Sequence, residues 1–373
     1  MHFLVDQDQL DHALTLVTRL ISAQNVMPIL GGVQLTASHD VVAVQATDLF
    51  SVMTVHIPAD IDEEGIVVLP AETLANLVHR IPTARIDIQA DAATGKAMVR
   101  YGRNRTTIHG FGTDTLPEFP PMPDTVNTLV LPPGSLMTIA QQLVFAIGRD
   151  ESRPILKGIK VEVQPEQAVF VSTDGSRLSY RTITLPEYHG MTGQWVWPAK
   201  ALMEAARLAG TEHPAQIRFA SGFVQVTTED TILVSRVLEG EYPEYVHIIP
   251  QDYVLHVDVE LNELRGSIER AALIAREDQD YTLHIHHVPG LLTVEAVAPT
   301  VGSVQEYVEC RSGGPEMSLI FNATFFMDAL KALTDDMVTI DFAGIQSPAR
   351  IRSAQHPEFF HLILPLRQLV AAH

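Results

Sequence analysis

The chain has 373 residues, of which 46% are hydrophobic and 19% are charged; this composition excludes extended disorder, and the length exceeds what one hydrophobic core usually spans. Its 25 basic and 45 acidic residues give a formal net charge of −20, so a nucleic-acid-binding role requires local segregation of charge. A single cysteine, Cys310, excludes an internal disulfide or a thiolate-rich metal site and fits a reducing cytoplasm.

Six amphipathic helices are predicted along the chain from apolar residues at helical spacing, as in Leu10, Leu14, Val17 and Ile21. The predicted windows are 7–22, 71–81, 134–149, 199–209, 260–276 and 323–333. Their leading apolar residues lie 64, 62, 66, 62 and 62 positions apart: Leu10, Leu74, Leu136, Leu202, Leu264 and Phe326. This spacing predicts one helix-plus-strands unit repeated six times.

Between the helices, apolar and polar residues alternate with the two-residue period of strands, at 41–45, 85–89, 161–163, 169–171, 216–219 and 338–342. Two short motifs recur farther apart than one unit. Thr47-Asp48 returns as Thr173-Asp174, and Glu118-Phe119-Pro120 returns as Glu241-Tyr242-Pro243. The units therefore pair into three similar domains.

Two proline-containing stretches, 113–124 and 239–250, interrupt the periodic pattern where such domains would join, because proline cannot donate to a strand ladder. We predict domains at 1–125, 126–251 and 252–373. A single unit buries little surface, so two units are expected to pack together as helices on antiparallel sheet. The predicted class is α+β, in three tandem copies, in preference to three unrelated α+β domains.

Motifs that carry chemistry are missing from the sequence. Gly110-Phe111-Gly112 lacks the remaining glycines and the lysine of a phosphate-binding loop, and His284, His286 and His287 have no further ligand at metal-binding spacing, which favours a solvated strand. We therefore expect no catalytic residues, no metal and no cofactor. No apolar run reaches the roughly 18 residues of a membrane span, and the N-terminus lacks a basic signal region, so we expect a cytoplasmic protein without membrane contact.

Charge is distributed unevenly between the helix windows and the rest of the chain. The six windows hold nine basic and eight acidic residues, whereas the remainder is strongly acidic. If the helices share one side of the molecule, that side could tolerate DNA phosphates. The other interpretation is that helix surfaces merely carry mixed charge.

Several segments, taken in this order, resemble the bacterial DNA sliding clamp, the beta subunit of the replicative DNA polymerase III. They are Met27-Pro28-Ile29-Leu30, Thr47-Asp48-Leu49, the stretch 150–158, the stretch 172–178, the stretch 241–245 and the stretch 362–367. The resemblance spans the whole chain. It implies a non-catalytic processivity factor: a head-to-tail homodimer closing into a ring, with helices inside around sequence-independent double-stranded DNA and sheets outside.

The resemblance also implies partners and their binding residues. DNA polymerase subunits, the clamp loader and repair proteins would insert short Gln/Leu/Phe-containing peptides into a pocket. The matching positions are Leu156, Thr173, Gly175, Arg177, Leu178, Pro243, His247, Ile248, Leu362, Ile363, Leu364, Pro365, Leu366 and Arg367. The candidate DNA-binding residues are Arg80, Arg149, Arg153, Lys200 and Arg207.

Some positions depart from the family pattern. Asn25 and Glu72 stand where the family often has arginine, Asp150 and Pro154 replace residues that contact DNA elsewhere, and the tail 368–373 runs past the usual end. Departures near His247 and in the tail leave open a specialised clamp copy with altered partners, for example an inhibitor-resistant one. A nuclease or nucleotide-acting enzyme is a further alternative, which metal-dependent turnover would support.

Overall fold

A computed structural model of the chain describes residues 1–22, 27–91, 93–124, 126–185, 190, 192–277 and 281–366. Within these residues the α-helices are α1 (Gln7–Val17), α2 (Ala71–His79), α3 (Ser135–Leu143), α4 (Ala199–Ala209), α5 (Leu261–Ala275) and α6 (Ala323–Lys331). Each predicted window contains one of them. The first and third windows overshoot because 3₁₀ turns at Thr18–Leu20 and Val144–Ala146 continue the apolar pattern beyond the α-helix.

The strands are short and follow the helices in clusters. In chain order they are β1 (His2–Asp6), β2 (Gly32–Ser38), β3 (Val41–Thr47), β4 (Ser51–Pro58), β5 (Asp60–Glu63), β6 (Gly65–Pro70), β7 (Arg85–Asp91), β8 (Lys96–Tyr101), β9 (Asn104–His109), β10 (Asn127–Leu131), β11 (Gly158–Gln164), β12 (Glu166–Thr173), β13 (Arg177–Leu185), β14 (Gly193–Pro198), β15 (Ala215–Ala220), β16 (Phe223–Thr227), β17 (Thr231–Arg236), β18 (Leu255–Glu260), β19 (Thr282–Val288), β20 (Leu291–Ala298), β21 (Gly302–Ser312), β22 (Met317–Asn322), β23 (Met337–Phe342), β24 (Ala349–Arg352) and β25 (Phe359–Ile363). All six stretches predicted from two-residue alternation lie within strands.

The chain forms two compact units. The first contains Met1–Met137 and Lys200–Val237, and the second contains Thr138–Ala199 and the chain from Leu238 onward. In the first unit a five-stranded sheet has the order β5-β1-β7-β8-β9, and an eight-stranded sheet has the order β10-β15-β16-β17-β4-β3-β2-β6. The middle third of the sequence supplies strands to both units.

The second unit is built on one twelve-stranded sheet with the order β14-β11-β12-β13-β25-β24-β23-β18-β21-β20-β19-β22. Helices α5 and α6 place Leu264, Ile268, Phe326 and Leu330 in a fully buried core against apolar residues of the sheet such as Ile340. Buried and more accessible residues alternate along strands such as β18 and β19, because every second side chain points to the same face of the sheet. The opposite face is therefore free to present a different set of residues.

The internal repeat predicted from the sequence is confirmed at atomic level in two turns, Thr47–Ser51 and Thr173–Arg177. In each turn the threonine hydroxyl donates to the carbonyl four residues later, at 2.8 Å for Thr47 and 2.6 Å for Thr173. The following aspartate in each accepts hydrogen bonds from two backbone N–H groups of the same turn. Because Gly175 has a φ of +95° and Leu49 a φ of +73°, the repeat preserves a left-handed residue at this position.

The fold class predicted from the sequence, α+β with helices packed on antiparallel sheets, is confirmed. Among the described residues no helix has the length and apolar character needed to cross a membrane. The same residues contain no group of three or more His, Cys, Asp or Glu side chains arranged to hold a metal ion. The expectation of a solvated strand is wrong for His287, which is buried, with its ring nitrogens 3.0 Å from the Pro315 carbonyl and 2.8 Å from the Ser312 hydroxyl. His284 and His286 are half-buried.

Candidate functional site

The described residues predicted to form a peptide pocket all lie in the second unit. Leu156, Leu178 and Leu362 are at most 2% exposed and belong to one apolar cluster, together with Tyr242 and Tyr245. They come from a 3₁₀ turn at Pro154–Lys157, from β13 and from β25, and the pairing of Leu178 with Leu362 places both on one face. As a candidate binding surface we name this cluster, together with the exposed residues that follow Tyr242 and Tyr245 in the chain, the outer groove; the cluster is called its floor and the exposed residues its rim.

The chain leading out of β25 alternates between two environments. Leu362 lies in the floor of the outer groove, whereas Ile363 is buried in the core against α5 and α6, because neighbouring strand residues point to opposite faces. Leu364, Pro365 and Leu366 are half-buried, and the Leu364 N–H donates to the Ser176 carbonyl at 2.9 Å. Arg367 and the tail 368–373 lie outside the described residues.

The rim of the outer groove is more accessible than its floor. Pro243, His247 and Ile248 are exposed, with Ile248 at 38%. They lie on the stretch that ends in a 3₁₀ turn at Val246–Ile248. An apolar floor with an exposed rim is the arrangement that accepts the apolar side chains of a short peptide.

Arg177 is a buried junction rather than an exposed contact residue, since its side chain is only 5% exposed. Its Nε donates to Asp174 at 2.9 Å, its Nη1 to Asp328 at 2.7 Å and its Nη2 to the Phe145 carbonyl at 2.5 Å. The guanidinium also lies 4.3 Å from the centre of the Phe325 ring. The Arg177 side chain therefore links the turn Thr173–Arg177, beside the outer groove, to α6 through hydrogen bonds.

Sequence reasoning missed the aromatic residues of the outer groove. Burial raises the pKa of Tyr242, and burial followed by the nearby Glu162 carboxylate raises the pKa of Tyr245, so both remain neutral. Lys160 places its ammonium 5.3 Å from the Tyr245 ring centre. The sequence carries a signal for both tyrosines, since the Glu-aromatic-Pro motif at 118–120 recurs at 241–243 and the stretch 241–245 belongs to the segments that resemble the family.

The candidate DNA-binding residues differ in how far they are already engaged. Lys200 donates to the Leu20 carbonyl and to Asp48, both at 3.0 Å, and Arg207 donates to Glu204 at 2.5 Å. Arg80 donates hydrogen bonds to Asn76, and Arg153 forms an ion pair with Asp150. Arg149 has no hydrogen bond or ion pair with another described residue. In the first unit these residues lie on α4 and at the end of α2, and in the second unit they lie between α3 and β11.

Helix-to-helix grooves differ in charge. A 560 Å³ cavity beside α1 and α2 is lined by Asp11, Glu72 and His79 without lysine or arginine. A 510 Å³ cavity beside α5 and α6 is lined by Arg270, Arg276 and Lys331, as well as by acidic residues. Arg19, Arg80 and Arg276 lie one or two residues beyond the C-terminal end of an α-helix, where positive charge is favoured, and Arg149 lies six residues beyond α3. The basic excess counted in the predicted windows therefore comes from residues outside the α-helices.

Comparison with known proteins finds similarity to one protein family along nearly the whole chain. Three family models match in order: the N-terminal, central and C-terminal domains of the DNA polymerase III beta subunit, at residues 1–120, 130–244 and 246–367. A beta sliding clamp of Bacillus subtilis strain 168 is 27% identical over 378 residues, covering 98% of this chain and 100% of the relative. A beta sliding clamp of Staphylococcus aureus is 26% identical, covering 98% and 99%.

Solved structures that are similar to this chain also cover nearly its whole length. The DNA polymerase sliding clamp from Bacillus subtilis aligns with a TM-score of 0.92 at 26% identity, covering 98% of this chain and 99% of that chain. The DNA polymerase III beta subunit from Pseudomonas aeruginosa also gives a TM-score of 0.92, covering 98% and 100%. Because its identity is 23%, this second match shows a shared fold alone.

Proposed function

This chain belongs to the DNA polymerase III beta subunit family, the bacterial DNA sliding clamps, and from that membership we propose that it closes with a second copy into a ring around duplex DNA. It is a processivity factor and not an enzyme. The observation that carries the proposal is the ordered match of three clamp-domain models across nearly the entire chain. We propose domain boundaries at 125/126 and 251/252, although residue 125 lies outside the described chain, and we place the protein at the nucleoid in the cytoplasm.

Enclosure explains how such a protein works without tight contacts. A ring threaded on duplex DNA cannot leave by losing individual contacts, and a polymerase bound to it stays at high effective concentration near the primer end. Contacts with phosphates need only be weak and independent of sequence, which allows sliding. The five candidate basic residues suit this role because most of them already share their charge with groups of their own chain.

Ring closure is proposed to join two free strand edges of opposite character. The strand β9 ends the five-stranded sheet and has Arg103 and Arg105 exposed beside its edge. Residues 302–309 of β21 pair with β20 alone, since β18 pairs only with Cys310–Ser312. This stretch carries the exposed Glu309 and also Glu306, whose carboxylate already pairs with Arg270. Unpaired edges of opposite charge favour head-to-tail association between two copies.

The outer groove is proposed to receive the short Gln/Leu/Phe-containing peptides of polymerase subunits, the clamp loader and repair proteins. Its support is the apolar floor of Leu156, Leu178 and Leu362 below the exposed rim. Arg177 would act there by holding the turn that bears Gly175, since its own donors are occupied. A few well-packed apolar anchors can supply most of the affinity of such a contact.

Loading on DNA tests enclosure. Placed on circular DNA by a clamp loader, the protein is expected to stay bound in high salt and to run off after the circle is cut once. The matched control is a nicked circle, which keeps the topology and should retain the protein. Equal salt-sensitive loss from circular and linear DNA would contradict a ring.

Truncation tests the peptide groove separately. Removal of residues 364–373 is expected to abolish polymerase stimulation while leaving the dimer intact, since β25 is retained and the half-buried residues Leu364, Pro365 and Leu366 that follow it are lost. Removal of 368–373 alone is the control and should preserve stimulation. If the variant that lacks residues 364–373 still stimulates the polymerase fully, residues 364–367 are not needed for peptide binding.

A further inference from the structure

Beside the outer groove, strand register aligns a row of side chains on one face of the twelve-stranded sheet. In this row Leu178 lies opposite Leu362, Leu362 opposite Arg350, Arg350 opposite Asp341, and Asp341 opposite His256. Directly opposed residues point to the same face, with their Cβ atoms about 5 Å apart. The apolar floor of the groove therefore continues into charged residues within one strand spacing.

A second row runs parallel to the first. Tyr180 lies opposite Phe360, and their rings stack with centres 4.7 Å apart. Phe360 in turn lies opposite Arg352, and the row continues through Thr339 and Asp258 to Arg311. In both rows the first residue after the apolar pair is an arginine.

One buried carboxylate holds both of these arginines in place. Asp341 has a side chain that is 0% exposed, and its Oδ2 accepts hydrogen bonds from the Nε atoms of Arg350 and Arg352, both at 2.8 Å. Burial would raise the pKa of Asp341, but hydrogen bonds from Arg352, His256 and Arg350 outweigh it and keep this pKa below its ordinary value. The Tyr253 ring lies 4.1 Å from the Arg350 guanidinium and further limits its motion.

Part of each guanidinium remains available to a ligand. The side chains of Arg350 and Arg352 are 24% and 28% exposed, and the Nη1 atom of each has no hydrogen-bond partner among the described residues. Arg311, at the end of the second row, is also exposed. Within the two rows the carboxylates are Asp341, which is enclosed, and Asp258, which accepts from Thr339 at 2.5 Å. The two rows therefore hold three arginines, namely Arg350, Arg352 and Arg311, and two carboxylates, in a chain of net charge −20.

We propose that Arg350 and Arg352 form an anion subsite of the outer groove, which takes the carboxylate of an Asp or Glu that flanks the apolar anchors of a partner peptide. This proposal rests on the proposed peptide-binding function. The guanidinium groups are ordered before the ligand arrives, so little side-chain entropy is lost on binding. The bond formed is charge-assisted and partly shielded from water, and such bonds are stronger than neutral ones. Acidic flanks would otherwise be repelled by the negative protein, so this subsite selects among peptides with the same apolar anchors.

The test uses the full-length protein and synthetic peptides with Gln, Leu and Phe anchors. In one pair the residue before the anchors is Asp or Asn, and in a second pair the residue after them is Asp or Asn. All peptides are amidated at the C-terminus, and one additional Asn peptide keeps its free carboxylate. Dissociation constants are measured for the unmodified protein, for Arg350→Gln/Arg352→Gln, and for the matched control Arg265→Gln/Arg276→Gln, which removes the same charge from the region of α5.

We expect the Asp peptide of at least one pair to bind roughly tenfold tighter than its Asn counterpart, the range of a hydrogen bond between charged groups. This ratio should fall to near one in Arg350→Gln/Arg352→Gln and stay unchanged in the control. Equal binding of Asp and Asn peptides to the unmodified protein, or a ratio that survives in the double variant, overturns the subsite while leaving the groove intact. A preference seen only with the free C-terminus would assign the subsite to a terminal carboxylate and overturn the side-chain proposal. If no peptide binds, the proposed peptide-binding function itself fails.

Discussion

His361 is a polar residue in the buried part of the second unit, and its surroundings determine its protonation state. His361 is fully buried in β25, with its Nδ1 2.6 Å from the Ser179 hydroxyl and its ring 5.2 Å from that of Phe145. Burial, and secondarily the charge of Arg177, lower the pKa of His361 to about 3 from 6.5. The residue is therefore neutral in the native protein at every pH at which the protein is expected to work.

This lowered pKa predicts a pH dependence of stability. Between pH 6.5 and about 3 the unfolded chain binds a proton on His361 that the native state does not, so native stability falls as the pH decreases through this window. From pH 7.5 to pH 5 the loss from this group is about 2 kcal/mol. Urea midpoints measured at these two pH values should differ more for the unmodified protein than for His361→Asn.

The control for this prediction is His39→Asn. His39 has a side chain that is 88% exposed and a φ of +58°, which asparagine tolerates. This variant should retain the pH dependence of the unmodified protein. If His361→Asn retains it as well, the histidine is not the group that titrates.

At the scale of elements, helix α6 shows how one end of a helix supports the groove. The side chain of Asn322 accepts hydrogen bonds from the N–H groups of Thr324 and Phe325 at 3.0 and 3.2 Å. Phe325 then covers Arg177, and Asp328 of the same helix accepts from it. The helix start thus fixes residues that hold the turn beside the outer groove.

Replacement of this cap has a predictable cost. Asn322→Ala is expected to reduce the free energy of unfolding by about 1 kcal/mol, because two N–H groups lose their acceptor. The matched control is Asp6→Ala at the start of α1, where the side chain makes no capping hydrogen bond and only a long, exposed contact with Arg85. Thermal unfolding of both variants measures this change. An equal loss of unfolding free energy in Asn322→Ala and Asp6→Ala would argue against capping as the cause.

The proposed edge pairing of β9 with β21 predicts an outcome for two opposite charge reversals. Arg103→Glu/Arg105→Glu should dissociate the dimer, and so should Glu309→Arg, because like charges then meet at both edges. Glu306 is left unchanged, since it pairs with Arg270 of its own chain. An equimolar mixture of the two variants should dimerise again, since in a head-to-tail ring each interface then joins opposite charges. Sedimentation gives the oligomeric state, and circular dichroism confirms that each variant is folded. A mixture that stays monomeric would rule out this pairing.

For the whole molecule, contact with DNA must be achieved against a net charge of −20. Acidic residues line the groove beside α1 and α2, and basic residues are more frequent beside α5 and α6. Because several candidate lysines and arginines already bond to their own chain, few charges are free to displace counterions from DNA. Binding to short linear duplex should therefore be weak and should depend only moderately on salt.

The five candidate residues are not equivalent in this respect. Arg149→Ala should reduce the slope of log affinity against log salt by about 1, because its charge is not shared within the described chain. Arg207→Ala is the matched control and should change the slope little, since Arg207 already pairs with Glu204. Titrations of both variants at several salt concentrations provide the comparison. Equal slopes for the two would refute the ranking.

The sequence by itself determined the repeat, the positions of the six α-helices in the described residues and six of the strands, because periodicity is a local property that sets which face of an element is apolar. Through family resemblance it also singled out Leu178 and Leu362, which the structure brings together in one apolar cluster. It did not reveal that Arg177 is engaged by Asp328, 151 residues away, nor that Arg350 lies beside Leu362. Those relations depend on strand register and on long-range packing, which only the tertiary structure decides, because contacts between distant segments leave no periodic signal in a single sequence.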